Sequence, residues 1–86
     1  MNINELIAIV KNKLETEIII QDLIIEDKSF LHKGHKGHQE GKFHLKLTIK
    51  SDELARSSKI ISTKRVYSIL SLELKQNIHS IQVLFN

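Results

Sequence analysis

The strictest constraint on the fold is an alternation of side chains between residues 42 and 50. Four apolar side chains alternate with five polar ones, in the order Lys42, Phe43, His44, Leu45, Lys46, Leu47, Thr48, Ile49 and Lys50. Successive side chains of a β-strand point to opposite faces of the sheet, so a period of two indicates a strand. The pattern therefore predicts a strand with one face against a core and the other face in water.

A helix and a further strand are predicted before this segment. Apolar side chains recur at helical spacing from Ile3 to Leu14, and Asn2 or Asn4 is the expected N-cap of that helix. The β-branched run of residues 18–20 prefers extended backbone, so the pattern does not predict a sharp end for the helix. Residues 23–27 then predict a buried strand that ends in two acidic residues.

Helices and a last strand are predicted after it. Turn-forming Ser51 and Asp52 precede a stretch of apolar residues that suits one long helix or a short helix joined to a longer one. Its members are Ile60, Ile61, Val66, Tyr67, Ile69, Leu70 and Leu74. Alternation returns from Ser80 to Phe85. The order is helix, strand, strand, one or two helices, strand, which indicates an α+β fold with helices on one face of the sheet.

Length and composition narrow the class of protein. With 86 residues and no obvious linker, the chain is predicted to be one domain over residues 1–86, a monomer when alone. There is no cysteine, so the chain offers neither a disulfide nor a thiolate. No apolar run reaches the roughly 18 residues that a membrane span needs. The N-terminus lacks the pattern of a signal peptide, so the expected location is cytoplasmic.

Histidines are concentrated between the first two predicted strands. His32, His35 and His38 are three residues apart, and a Lys-Gly pair separates each from the next. Glycines at these positions disfavour a helix, so the segment is predicted to be a long loop. Neutral imidazole is a common metal ligand, and a flexible loop can wrap a metal. The alternative is a solvated loop that binds Ni²⁺ or Zn²⁺ only adventitiously.

Two further histidines lie at the ends of predicted strands. His79 stands alone at the start of the last strand, and His44 lies at the start of the strand described first. His44 is on the polar face. It is either an exposed histidine or a hydrogen-bond donor that orients another residue bound to a metal. The sequence has no nucleophile elbow and no phosphate-binding Walker loop. The chain is therefore predicted not to be an enzyme.

Several short motifs are distributed over nearly the whole chain. They are Asp27-Lys28-Ser29, His32, Gly34-His35, Gly37, Glu40-Gly41, His44-Leu45, Val66-Tyr67, Leu70, Glu73-Leu74 and Ile78-His79-Ser80-Ile81. Their order and spacing resemble those of BolA-like proteins. The resemblance implies an αββααβ fold with a three-stranded mixed sheet, similar to a class II KH topology. The segment Gly34 to Gly37 also has the GXXG form of KH domains, although it is predicted between strands and not between helices.

The resemblance also implies a function. BolA-like proteins are partners of monothiol glutaredoxins, with which they share a bridged [2Fe-2S] cluster in iron-sulfur trafficking or iron sensing. By position, His79 matches the C-terminal cluster ligand of the family, and His32 or His35 matches the loop ligand. Because the chain has no cysteine, the thiolates are expected from the partner and from glutathione. His44 and His38 are then expected as supporting or partner contacts.

A DNA-binding regulator with KH-like topology is the alternative. The net charge is +3, and the cations expected to contact phosphates are Lys42, Lys46, Lys50, Lys59, Lys64 and Arg65. The family's Arg-His-Arg of the long helix corresponds to Ser62-Thr63-Lys64, and its Phe-x-Gly corresponds to Leu54-Ala55-Arg56. The first of these differences removes positive charge from the helix, which weakens the case for DNA.

Overall fold

The computed structural model describes residues 1–29 and 42–86. The elements are α1 (Ile3–Glu17), β1 (Asp22–Asp27), β2 (Phe43–Lys50), α2 (Asp52–Ala55), α3 (Lys59–Ile69), α4 (Ser71–Gln76) and β3 (Ile78–Phe85). This order confirms the predicted α+β class. The stretch predicted as one or two helices is divided into three.

The strand predicted from the alternation, β2, is the centre of a three-stranded mixed sheet. The strand order is β1-β2-β3. β1 pairs with β2 antiparallel, with Asp22 opposite Lys50 and Asp27 opposite Leu45. β3 pairs with β2 in parallel, as expected when helices connect two neighbouring strands. β2 is therefore hydrogen-bonded along both of its edges.

One face of the sheet packs against the helices. Leu45, Leu47 and Ile49 of β2 are at most 2% exposed and share a core with residues of α1, α2 and α3. The buried apolar residues are Leu6, Val10, Leu14, Ile18, Leu45, Leu47, Ile49, Leu54, Val66, Leu70 and Ile78. The intervening β2 residues Lys46, Thr48 and Lys50 are on the opposite face and retain solvent exposure. We call this second surface the open face.

The ends of α1 follow from local chemistry. The Asn2 side chain accepts a hydrogen bond from the backbone N–H of Glu5 at 2.9 Å, which confirms Asn2 as the N-cap. The helix ends at Glu17 because Ile18 has extended backbone, with φ −134° and ψ 138°. Ile18 is buried, whereas Ile19 is 71% exposed.

The later helices begin at serines. Ser51 and Ser58 cap α2 and α3 by accepting hydrogen bonds from the backbone N–H of the third residue after each serine. The backbone departs from helical geometry at Leu70, which separates α3 from α4. Ile60 and Ile61, counted above in the apolar pattern, are 69% and 59% exposed and lie outside the core. Among the helices in the described ranges, none has the length and apolarity to cross a membrane.

A buried carboxylate joins α4 to α1. Glu73 is 4% exposed, and its Oε2 accepts a hydrogen bond from Lys13 Nζ at 2.7 Å. Its Oε1 is buried without a hydrogen-bond partner in the described part of the chain. A buried carboxylate that loses its cation pays a large desolvation cost, so the packing of α4 depends on Lys13.

Replacing Lys13 with methionine should lower the free energy of unfolding by about 1–3 kcal/mol, because the Glu73 carboxylate stays buried without its cation. Replacing Glu73 with leucine in the same chain should recover much of that loss, since no buried charge remains. Urea denaturation of the two single variants and the double variant measures the coupling.

Lys11→Met is the matched control, because Lys11 is exposed on the same helix and loses the same charge. It should change stability by no more than about 0.5 kcal/mol. Equal effects of Lys13→Met and Lys11→Met would show that the Lys13–Glu73 pair does not stabilise the fold.

Candidate functional site

His79 lies at an irregularity in the pairing of β2 with β3. Phe43 is opposite Ile78, but the next residue, His44, is opposite Ser80. One residue of β3, His79, is therefore extra, which is the arrangement of a β-bulge. A bulge bends the strand locally and changes the direction of its side chains, and it lets two consecutive residues face one residue of the partner strand.

The bulge places both His79 and Ser80 in contact with His44. Nε2 of His44 is 3.1 Å from Nδ1 of His79, and Nδ1 of His44 is 2.6 Å from Oγ of Ser80. The two imidazole rings meet edge to face, with centroids 4.7 Å apart and planes at 87°. We call these three side chains the relay.

The exposure of the two rings differs, and this corrects one prediction. His44 is only 5% exposed, so the alternative that it is a solvated histidine is wrong. Its strand is paired on both edges, and its side chain lies against the two residues of the bulge. His79 is exposed. The arrangement is an exposed imidazole supported by a buried one.

The hydrogen bonds of the relay determine which nitrogen of His79 can bind a metal. Because Nδ1 of His79 contacts His44, Nε2 is the nitrogen that remains for a ligand. A neutral imidazole that binds a metal through Nε2 carries its proton on Nδ1. Nδ1–H of His79 then donates to Nε2 of His44, and Nδ1–H of His44 donates to Oγ of Ser80. Each donor meets an acceptor, as is usual for histidines that ligate metals.

Ser80 was not among the site residues predicted from the sequence. In a regular strand, Ser80 would point away from the face occupied by His79, so simple alternation separates the two side chains. The bulge removes that separation. The signal for the bulge in the sequence was the pair of consecutive polar residues His79 and Ser80 between Ile78 and Ile81. Two polar positions in succession break the period of two, as a bulge does.

The beginning of the histidine-rich segment is fixed beside the relay. The backbone N–H of Lys28 donates to the carbonyl of His44 at 2.7 Å. The Ser29 hydroxyl accepts from the backbone N–H of His44 at 3.0 Å, and the Ser29 N–H donates to Oδ1 of Asp27 at 2.9 Å. The chain therefore leaves β1 in direct contact with the residue that supports His79.

His32, His35 and His38, as well as the segment from Gly34 to Gly37, lie outside the described residues. Within residues 1–29 and 42–86, no group of three His, Cys, Asp or Glu side chains is arranged to hold a metal ion. The described part of the chain thus contributes His79 as a single exposed imidazole with its support.

The cations predicted for DNA contact do not form one surface. Lys46 and Lys50 lie on the open face of β2, and Lys42 precedes that strand. The others, Lys59, Lys64 and Arg65, are exposed on α3, which packs through Val66 against the opposite face of the sheet. The two groups are therefore separated by the core.

Arg65 is engaged within the chain. Its guanidinium forms an ion pair with Glu53 and donates to the backbone carbonyl of Glu17 at 2.9 Å. The Glu53 carboxylate also accepts from the backbone N–H of Ile19 at 3.3 Å. The hydrogen bond from Arg65 is the main reason that the pKa of Glu53 is lowered below its ordinary value, and the hydrogen bond from the backbone N–H of Ile19 lowers it further.

Comparison with known proteins places the chain among its relatives. A family model described as BolA-like protein matches residues 14–85. The DNA-binding transcriptional regulator BolA of Haemophilus influenzae is 30% identical over 73 residues, which cover 85% of this chain and 68% of that protein.

Two further relatives come from Arabidopsis thaliana. SufE-like protein 1, chloroplastic/mitochondrial, is 30% identical over 79 residues, which cover 86% of this chain but 21% of that protein. The chain thus matches only one part of this longer relative. The solved BolA domain of SufE1 superposes with a TM-score of 0.77 at 30% identity, covering 92% of this chain and 87% of that domain.

The ion pair between Glu53 and Arg65 predicts a dependence of stability on pH. Because the pKa of Glu53 is lowered in the folded state, its contribution is complete above the ordinary pKa and is lost as pH falls through the folded-state pKa. Glu53→Gln should lower the melting temperature slightly at pH 7, and this difference from the parent should shrink towards pH 3. Thermal unfolding between pH 7 and pH 3 measures it.

Glu15→Gln makes the same charge change at an exposed position of α1 and supplies the baseline. A Glu53→Gln curve that runs parallel to the parent at every pH would contradict the assignment.

Proposed function

This chain belongs to the BolA-like protein family, and we propose that it is a non-enzymatic accessory protein in iron-sulfur cluster assembly, trafficking or iron sensing. Its cargo is a [2Fe-2S] cluster shared with a monothiol glutaredoxin in a heterodimer. The observation that carries the proposal is the exposed His79, whose Nδ1 is bonded to buried His44 so that Nε2 is left for iron.

The donor chemistry of the chain fits a shared cluster. A [2Fe-2S] cluster takes four ligands, and imidazole can replace thiolate on one of its two irons. The chain has five histidines and no cysteine, so it can serve the imidazole side only. The partner cysteine and glutathione then supply thiolates. The cluster, when bound, supplies iron sites that accept ligands from both proteins.

The relay gives His79 the support that a metal ligand needs. A ligand histidine that donates its other N–H is held in one tautomer and one ring orientation, and it becomes a stronger donor to the metal. His44 accepts this bond from a buried position, where its own ring is held by Ser80. In this proposal His44 is a positioning residue that acts through His79.

The second imidazole is proposed to come from His32 or His35, as the family resemblance implies. The chain is attached beside His44 at Ser29, three positions before His32 in the sequence. His38 is farther along the same segment and is proposed as a supporting contact.

His79→Ala should greatly weaken retention of the cluster in the complex with a monothiol glutaredoxin, because it removes the exposed imidazole that the bulge holds in place. His32→Ala or His35→Ala alone should cost less, on the order of 10–100-fold, since one can replace the other. Visible absorption, circular dichroism and native mass of the reconstituted complex give the retention.

The double variant His32→Ala, His35→Ala should approach the loss seen for His79→Ala. Retention should also fall as pH is lowered, because a protonated imidazole cannot bind iron. Full retention by a folded His79→Ala variant, or a coloured iron- and sulfide-containing chain formed without any partner, would contradict the proposal.

DNA binding is the second candidate, favoured by the name of the Haemophilus relative. Lys59 and Lys64 are exposed on α3, but Arg65 would have to give up its bonds to Glu53 and Glu17 to contact a phosphate. We therefore expect weak binding without sequence preference that falls steeply with salt.

Lys64→Gln should reduce the slope of log K against log salt concentration by about 1 if Lys64 contacts a phosphate. Fluorescence anisotropy with a labelled duplex at several salt concentrations measures the slope. Tight, sequence-selective binding at physiological salt would favour the regulator over the cluster partner.

A further inference from the structure

A shallow, mostly apolar groove runs along the solvent-exposed side of α3, and we call it the α3 groove. Its lining residues are Lys59, Ile60, Thr63, Lys64, Tyr67 and Ser68. Ile60 is 69% exposed and Tyr67 is 41% exposed, so two large side chains of the groove are in contact with water. They are seven positions apart, which puts them on the same side of the helix and about 10 Å apart along its axis. The apolar strip that they form lies outside the core, on which α3 packs through Val66.

Tyr67 is tied to the neighbouring strand at one end of the α3 groove. Its hydroxyl donates a hydrogen bond to the backbone carbonyl of Ile81 at 3.3 Å, so the side chain bridges α3 and β3. A side chain that is already ordered loses little conformational entropy when a partner packs against it. Tyrosine is also among the residues that are enriched at protein interfaces. Tyr67 is therefore suited to contact a partner.

The α3 groove also carries positive charge that the described residues do not balance. Lys59 and Lys64 are exposed, and neither forms an ion pair with any residue in the described ranges. Neither α3 nor β3 contains an acidic residue, so the positive end of the α3 dipole has no carboxylate in its first turn. Arg65, on the same helix, is already paired with Glu53. The groove thus combines an exposed apolar strip with two ammonium groups that lack a counter-charge within the described part of the chain.

We infer that the α3 groove binds an acidic peptide segment of a partner protein. An apolar side chain of the segment packs on Ile60 and Tyr67, and its carboxylates lie beside Lys59 and Lys64. Burial of the apolar strip drives the association, and the complementary charges select an acidic segment over a neutral or basic one. The spacing of the strip matches the anchor positions by which helices and their ligands recognise each other. His79 does not line the groove, so the inference does not rest on the proposed function.

Two other anionic partners fit the α3 groove less well. The phosphates of a DNA duplex would contact the two lysines but would leave Ile60 without an apolar contact, and Arg65 is already engaged. Basic segments that bind anionic membranes typically carry about four to eight lysines or arginines, each contributing about 1 kcal/mol near the surface. The groove has two. An acidic peptide offers carboxylates and an apolar side chain together, on the scale of the groove.

Selection from a random peptide library displayed on phage, with the full chain immobilised, tests the inference. The enriched peptides should carry net negative charge and at least one large apolar residue. An enriched peptide is then synthesised with a fluorescent label, and its binding to variants is followed by anisotropy. Ile60→Ser should weaken binding roughly tenfold, because the apolar contact is lost. Ile61→Ser is the matched control, since Ile61 is the next residue, is 59% exposed and lies outside the groove. It should leave binding within a factor of about two.

A pair of double variants tests the charges. Lys59→Gln combined with Lys64→Gln should weaken binding of the same peptide roughly fivefold, as expected for the loss of two exposed ion pairs. Lys11→Gln combined with Lys75→Gln removes the same charge from exposed positions of α1 and α4. This control should stay within a factor of about two of the parent, because distant exposed charges are screened by salt.

Several results would overturn the inference. They are the absence of any enriched peptide, enrichment of peptides without acidic residues, and equal weakening by Ile60→Ser and Ile61→Ser. Tighter binding of a labelled DNA duplex than of the peptide, lost in the double lysine variant of the groove but kept by Ile60→Ser, would assign the groove to nucleic acid. Co-sedimentation with phosphatidylglycerol vesicles that is lost in Ile60→Ser would assign it to a membrane surface.

Discussion

The double pairing of β2 is the constraint on which the rest of the structure depends. The strand is bonded to β1 and β3 along its two edges, and its apolar face carries Leu45, Leu47 and Ile49 into the core. A slip of one residue would move these three side chains to the open face and put lysines under the helices. The register of β2 is therefore strongly specified, and its neighbours must adapt to it.

The bulge at His79 is where β3 adapts. Ile78 is buried opposite Phe43, and Ile81 packs on the core opposite Leu45, so the core face continues on both sides of the irregularity. Only one β2 residue, His44, is available for the two intervening residues of β3. The polar chemistry of the candidate site is thus a consequence of keeping apolar residues inside, because His44 can satisfy both of its ring nitrogens with neighbours that the bulge supplies.

Charged side chains perform a second structural task by attaching α1 to the later helices. Lys13 neutralises buried Glu73 on α4, and Arg65 of α3 holds both Glu53 and the last carbonyl of α1. The positive net charge of the chain is therefore not a free basic patch, since part of it is committed to the fold. Among the cations predicted for DNA contact, Lys59 and Lys64 are exposed on α3, whereas Lys46 and Lys50 lie on the open face of β2.

The sequence by itself determined the elements that depend on local patterning. The alternation from Lys42 to Lys50 predicted β2, the cap of α1 was predicted as Asn2 or Asn4, and the order of elements was correct, because period and capping chemistry involve residues close together in the chain. His79 was also singled out as a candidate ligand, although only through the family resemblance. The loop histidines remain predictions, since they lie outside the described residues.

Only the tertiary structure decided how these parts meet. His44 contacts His79 and Ser80, which lie 35 and 36 positions later in the chain. Arg65 donates to the carbonyl of Glu17, which lies 48 positions earlier. A bulge cannot be read from alternation alone, because its position depends on which residues the partner strand must keep buried. For the same reason the sequence left His44 as either an exposed histidine or a supporting donor, whereas in the fold it is buried and contacts His79.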